Sequence, residues 1–173
     1  MSQIKVNSII PSGGLPAGSN GGIIQVKQTI KKDVFTFTQT VANGYTDLTG
    51  LSVTITPSSS SNKILVVSNI YNGASNNAVV FFRLLRGSTF IEQPSGTSSG
   101  GANYNAHAMS YYDNTYQDST TWSILDSPAT TSATTYKIQT CVTGNTGCIN
   151  AYAGGSQDNY FGTSMITAYE VSA

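Results

Sequence analysis

The chain has 173 residues, with eight Lys plus Arg against eight Asp plus Glu, and charged side chains make only 9% of it, far below the roughly one quarter usual in soluble domains. Polarity comes instead from 23 Ser, 22 Thr, 14 Asn and 17 Gly. This balance leaves no basic stripe to neutralise phosphates, so nucleic-acid binding lacks an electrostatic footprint. The longest nearly unbroken apolar run, Ala78 to Leu85, is too short for the ~20 residues of a membrane helix, so no membrane insertion is expected. An aromatic content of 10% argues against disorder, because those rings can fill a core. A surface of hydroxyls and amides suits an all-β protein that works outside cells, in variable salt.

Residues 1–22 stand apart. The stretch Pro11-Ser12-Gly13-Gly14-Leu15-Pro16-Ala17-Gly18 has the Pro and Gly density of an extended arm that buries little. It reads either as a frayed terminus or as an arm that orders on a partner, with Ile4, Val6, Ile9 and Ile10 as apolar anchors. The first residues lack the apolar stretch of a secretory signal, so the expected route out of the cell is release by lysis.

Residues 23–173 read as one β-domain. Leu51, Val53 and Ile55 alternate with Ser52, Thr54 and Thr56, the period of two of a half-buried strand. Lys63 to Tyr71 and Ala78 to Arg86 are continuous β-branched and aromatic runs, read as central strands. Further strands are expected at 104–112, 116–125, 134–143, 147–152 and 163–171, with Met165, Thr167, Tyr169 and Val171 on one face. No window has helical periodicity. Nine or ten short strands with turn signals between them indicate a β-sandwich or barrel.

Cys141 and Cys148 flank Val142-Thr143-Gly144-Asn145-Thr146-Gly147. If Gly144-Asn145 is a two-residue hairpin turn, the two cysteines oppose each other at ~4.5–5.5 Å between Cα atoms, within reach of a disulfide. The alternative is a pair of reduced, partly buried thiols.

No constellation for catalysis, cofactor or metal emerges, and the expectation is a protein that is not an enzyme. His107 is the single histidine and has Ala106 and Ala108 beside it; it reads as structural. One His and two Cys are too few for a four-ligand zinc site of His and Cys, and phosphate loops and nucleophile elbows are absent. Asp113 and Asp118 lie in one aromatic stretch, but spacing alone makes a weak case for a glycosidase pair. Rings beside amides in that stretch also describe a sugar-binding surface, with Tyr111, Tyr112, Asn114, Tyr116 and Gln117 as candidate contacts for a host glycan; the competing reading is a polar loop flanked by core tyrosines. Trp122 reads as a core or interface anchor.

Several phrases resemble tail-fibre and virion-appendage proteins of tailed bacteriophages of aquatic bacteria. They include Ser2-Gln3-Ile4-Lys5-Val6-Asn7, Gly21 to Thr29, Leu51 to Pro57 with Lys63 to Val66, Phe82 to Ser88, and Ile124 to Pro128 with Thr134 to Gln139. The resemblance implies a jelly-roll-like β-sandwich, a homotrimeric knob on the virion surface, joined to other virion proteins through its N-terminal arm. It implies a short tail fibre or spike contacting the host. A capsid decoration (cement) protein and a free lectin-like module are the alternatives. The chain has no repetitive shaft, and the Cys141/Cys148 segment and residues 103–118 have no counterpart in the family pattern.

Overall fold

The computed structural model describes residues 22–38, 40, 44–75, 77–96, 105–112, 117–151 and 161–172. Chain order is β1 (Ile23–Lys31), β2 (Phe35–Phe37), β3 (Thr46–Ile55), β4 (Lys63–Ala74), β5 (Ala78–Arg86), β6 (Thr89–Phe90), β7 (Ala108–Tyr112), β8 (Gln117–Asp126), β9 (Thr134–Val142), β10 (Gly147–Ile149) and β11 (Ser164–Val171). The described residues contain no helix.

The strands form two sheets of eight strand positions. Along β4, β10 opposes Asn72–Ala74 and β11 opposes Lys63–Asn69, so β10 and β11 share one position. Their outer neighbours β2 and β1 share the next, and β8 runs along the other side of β4. The second sheet places β3 beside β9 and β9 beside β5, with β6 and β7 sharing the far side of β5. Counted along the chain, the first, eighth, third and sixth positions face the second, seventh, fourth and fifth. That is the strand order of a jelly roll, in which most connections cross between sheets.

The inner faces meet in one core. In β4, Ile64, Val66 and Ile70 point inward, and in β5, Val80, Phe82 and Leu84 do so, all nearly or fully buried. Each such side chain contributes roughly 1.5–3 kcal/mol when fully buried. Both strands are central, as their composition implied: β4 lies between β11 and β8, and β5 between β9 and β7. The near-continuous apolar run of β5 has a further cause. Its outward Phe81 and Leu85 are also buried, and the 105–107 segment is held against the sheet by His107 N donating to Phe82 O at 2.9 Å.

A polar clasp and a ring stack tie the layers together. Asp126 on β8 accepts both from Arg86 Nη1 (2.8 Å to each oxygen) and from the Tyr136 hydroxyl (2.6 Å), joining the edge of one sheet to the middle of the other. Trp122, also on β8, stacks on Phe82 with ring centroids 5.7 Å apart, so it is a core anchor.

The expected Cys141–Cys148 hairpin does not form. β9 belongs to one sheet and β10 to the other, so Cys141 opposes Phe81 while Cys148 opposes Gly73 and Thr36. Residues 143–146 turn a corner between sheets, beside the corner that holds Ser75 and Asn77. Thr143 N donates to Val79 O (3.0 Å), Val79 N to Thr143 Oγ1 (2.9 Å), and Ser75 N to Thr146 O (3.1 Å). Asn77 and Asn145 take positive φ at these corners, 56° and 63°, which Asn tolerates better than most residues. Both cysteines are buried and free, and the register that would have bridged them is absent.

Candidate functional site

The outermost strand β1 departs from the pattern of every other long strand. Its inward side carries Gln25, Lys27, Thr29 and Lys31, while Ile23, Val26 and Ile30 face solvent, 62%, 50% and 48% exposed. Register extends this apolar surface across the sheet: Val26 opposes Tyr169, Tyr169 opposes Leu65, and Leu65 opposes Leu125. Met165, Thr167, Tyr169 and Val171 do share one face, and it is this outer one. Among the described residues that the register places here, the single charged side chain is Lys63, at one end.

The inward polar side of β1 has dedicated partners. Glu170, fully buried, accepts from Gln25 Nε2 (2.6 Å), Ser58 N (2.6 Å), Ser58 Oγ (2.7 Å) and Asn62 Nδ2 (2.6 Å). Burial alone would raise its pKa, but those donors outweigh it and lower it to about 2, since hydrogen bonds to the charged form favour it. Lys31 is buried against Phe35 and paired with Asp33 at 2.6 Å. Four neutral donors around one carboxylate tie β1, the β3–β4 connection and β11 into a single edge. No carboxylate-only sequence signal pointed to Glu170; its partners are 108 to 145 residues away.

The chain enters the fold at the corner of this edge. Gly22 N donates to Ser172 Oγ and Ser172 N to Gly22 O, both at 3.1 Å, and neighbouring Ile23 opposes Val171, which opposes Lys63 at the start of β4. The expected anchors Ile4, Val6, Ile9 and Ile10 lie outside the described residues.

Of the five residues expected as receptor contacts, Tyr111 and Gln117 lie at the other end of β4, and a third, Tyr112, is corrected. Tyr111 is 63% exposed, its hydroxyl donating to Asn77 Oδ1 at 3.4 Å. Gln117 opposes Gly73 and accepts from the Tyr71 hydroxyl at 2.6 Å; its Nε2 is buried without a hydrogen-bond partner. Tyr112, by contrast, is 1% exposed and belongs to the core, its hydroxyl set against Asn72 O (3.0 Å) and Asn72 Oδ1. The alternation of β7 decides this: Tyr111 and Tyr112 are adjacent, so they must point to opposite faces. Asn114 and Tyr116 lie outside the described residues, as does Asp113. Ten residues of β4 separate the two ends, ~33 Å at strand rise, so the exposed ring and the polar groups of Tyr71, Asn77 and Gln117 sit opposite the point where the chain enters.

His107 is held by backbone on both nitrogens. Nδ1 accepts from Leu84 N at 2.9 Å, which places the proton on Nε2, and Nε2 donates to Ile91 O at 2.9 Å. Burial lowers its pKa. It lines a shallow cavity of about 240 Å³ with Phe81, Ala106, Ala108 and Met109. On the same outer face, Arg83 lies 4.0 Å from the Tyr45 ring and donates to Gln139 Oε1, and Gln139 in turn donates to Asp47. Burial pushes the Cys141 thiol beneath Tyr45 up to about 11. Among the described residues no three His, Cys, Asp or Glu side chains cluster as metal ligands.

No protein-family model and no curated protein matches the chain. Among solved structures, that of the infectious bursal disease virus Gx strain superposes with a TM-score of 0.46 at 11% identity, over 96% of this chain and 42% of the other. A mutant VP2 protein of the same virus in T=1 particles gives 0.41 at 10% identity, covering 84% and 36%. A VP2 subviral particle gives 0.40 at 9%, covering 87% and 38%. The chain thus spans about two fifths of the length of these viral proteins. Its jelly-roll assignment rests on its own strand order.

Proposed function

We propose that this chain is a non-enzymatic virion structural protein of a bacteriophage, a short tail fibre or spike that holds the particle at one end and contacts the host at the other. The observation that carries the reading is the opposition of the two ends of β4. The chain enters at Gly22, beside Ser172, and the exposed Tyr111 with Asn77 and Gln117 lies at the far end. A knob anchored by its N-terminal arm needs that geometry, because a contact surface beside the anchor would face the particle. The resemblance of Ser2 to Asn7 and Gly21 to Thr29 to phage appendage proteins supports the same reading, as does a surface with few charges to be screened by salt.

The contact mode that suits these groups is stacking of a sugar face on Tyr111, with a hydrogen bond from the neighbouring Asn77 amide. Such single sites are weak, and three copies in a trimer would raise adsorption through avidity. Tyr111→Ala particles should assemble in normal yield and adsorb to host cells several-fold less. Tyr112 is unsuitable for this test, because its loss would damage the core. Unchanged adsorption with fragile heads would favour the cement reading instead. That second reading draws on the apolar outer face of the β1 sheet, which suits packing on neighbouring subunits. Antibody labelling of virions distinguishes tail from head directly.

A further inference from the structure

The outer face of the β1 sheet combines an apolar row four strands wide with a near absence of charge. We propose that copies of this chain pack on one another through it, like face against like face.

The side chains of the face specify the partner. Its apolar part is large: Ile23, Val26, Ile30 and Leu125 are 62%, 50%, 48% and 49% exposed, and Tyr169 and Leu65 join Val26 to Leu125 across the sheet. Its polar groups bond to one another. Gln28 Nε2 donates to Thr167 Oγ1 at 2.9 Å, Asn69 Nδ2 to Thr121 Oγ1 at 2.6 Å, and Ser119 Oγ to Asn69 Oδ1 at 3.2 Å. Among the described residues here the one charge is Lys63, at an end. A glycan would compete with bonds already made, and an anionic surface would find a single cation. The partner that fits is a broad, uncharged, apolar protein surface.

The same face on another copy meets that description. The outer face of the second sheet does not, since it carries Arg83 and the Lys137–Asp47 pair, and a charge set against an apolar face loses water without gaining a partner. The area is sufficient. Four strands ~4.8 Å apart and about nine residues long, at ~3.3 Å per residue, project to roughly 570 Å². Side-chain relief raises the accessible area toward the ~800 Å² per partner of a standard interface. Pairing along the β1 edge is the less favourable mode, because a register shift between Ile23 and Gln25 disturbs that strand and Lys27 is exposed on it, both features that protect an edge. The inverted amphipathicity of β1 then has a purpose: its apolar side faces outward to meet another subunit.

Self-association through this face rests on the trimer of the tail-fibre reading and supplies its contact surface. The test uses sedimentation of the full chain. Val26→Lys and Leu125→Lys each place an ammonium at a position exposed in the single subunit, so circular dichroism should be unchanged, while association should weaken at least about ten-fold. Met109→Lys, on the other sheet and 66% exposed, should leave association as it is. An oligomer unmoved by both face variants, or weakened equally by Met109→Lys, overturns the interface and leaves the trimer standing. A parent chain that stays monomeric at ~100 μM, a concentration at which standard-size interfaces form, overturns both. Alkylation gives a second reading. Cys141 and Cys148 are buried, so Val26→Cys adds one accessible thiol, which should react several-fold faster once Leu125→Lys is added to separate the copies. An unchanged rate overturns the interface. Host contact is tested separately, by adsorption of Tyr111→Ala particles.

Discussion

Glu170 is the residue whose chemistry most constrains this molecule. A fully buried carboxylate with no cation beside it among the described residues survives because Gln25, Ser58 and Asn62 point donors at it. Its folded pKa is depressed, from 4.5 to about 2. Its contribution is therefore fully present above the unfolded value of 4.5 and is lost as pH falls through that window toward about 2. Glu170→Gln sets an amide N–H₂ among donors and should cost about 2 kcal/mol at pH 7. Denaturant titrations should also show the variant losing less stability than the parent between pH 5 and pH 3. An equal acid loss in both would mean that other carboxylates dominate. The cysteines make a second residue-scale case. Buried on different sheets, with the Cys141 thiol pushed up to about 11, they should resist alkylation until the protein unfolds, and the intact mass should be that of two free thiols.

At the scale of elements, the corner at 143–146 teaches most. Opposed cysteines around Gly-Asn look like a hairpin when read locally, and the local pattern is sound for two strands that pair. What it lacks is the competing partners: Val80 for Val142 on one sheet, Ala74 and Phe37 for Gly147 on the other. The two readings place the sensitive glycine differently. In the structure a Cβ on Gly147 would come within 2.3 Å of the Phe37 ring, while one on Gly144 would meet nothing within 4 Å. Gly147→Ala should therefore destabilise by roughly 1–3 kcal/mol, the range for overpacking, and Gly144→Ala should be near neutral in thermal or chemical melts. The reverse order would restore the hairpin. The clasp Arg86–Asp126–Tyr136 acts at the same scale, fastening the edge strand β8 to the opposite sheet.

For the whole molecule, a sparsely charged exterior with an apolar sheet face invites assembly, and closed symmetry is the usual outcome for soluble oligomers. A trimer is proposed, and light scattering on the purified protein should give three times the chain mass. A monomer at micromolar concentration would instead favour the free lectin-like module, which needs neither particle nor partner copies. Three parallel knobs joined at their entry corners would present three Tyr111 ends together, which ties oligomeric state to adsorption.

Composition and alternation by themselves determined the β class, the two central strands β4 and β5, the positions of β8, β9 and β11, and the structural nature of His107. These follow from period-two burial and from residue type, which act over a few neighbours. Tertiary structure alone decided the rest. It set which strands share a sheet, hence the fate of Cys141 and Cys148, because strand pairing is chosen by partners far along the chain. It sent Tyr112 into the core and left Tyr111 outside, since adjacent residues of a strand face opposite ways and only the second sheet says which way is in. It also turned the apolar side of β1 outward, because Glu170, Asn62 and Ser58 had already claimed the inward side for polar partners.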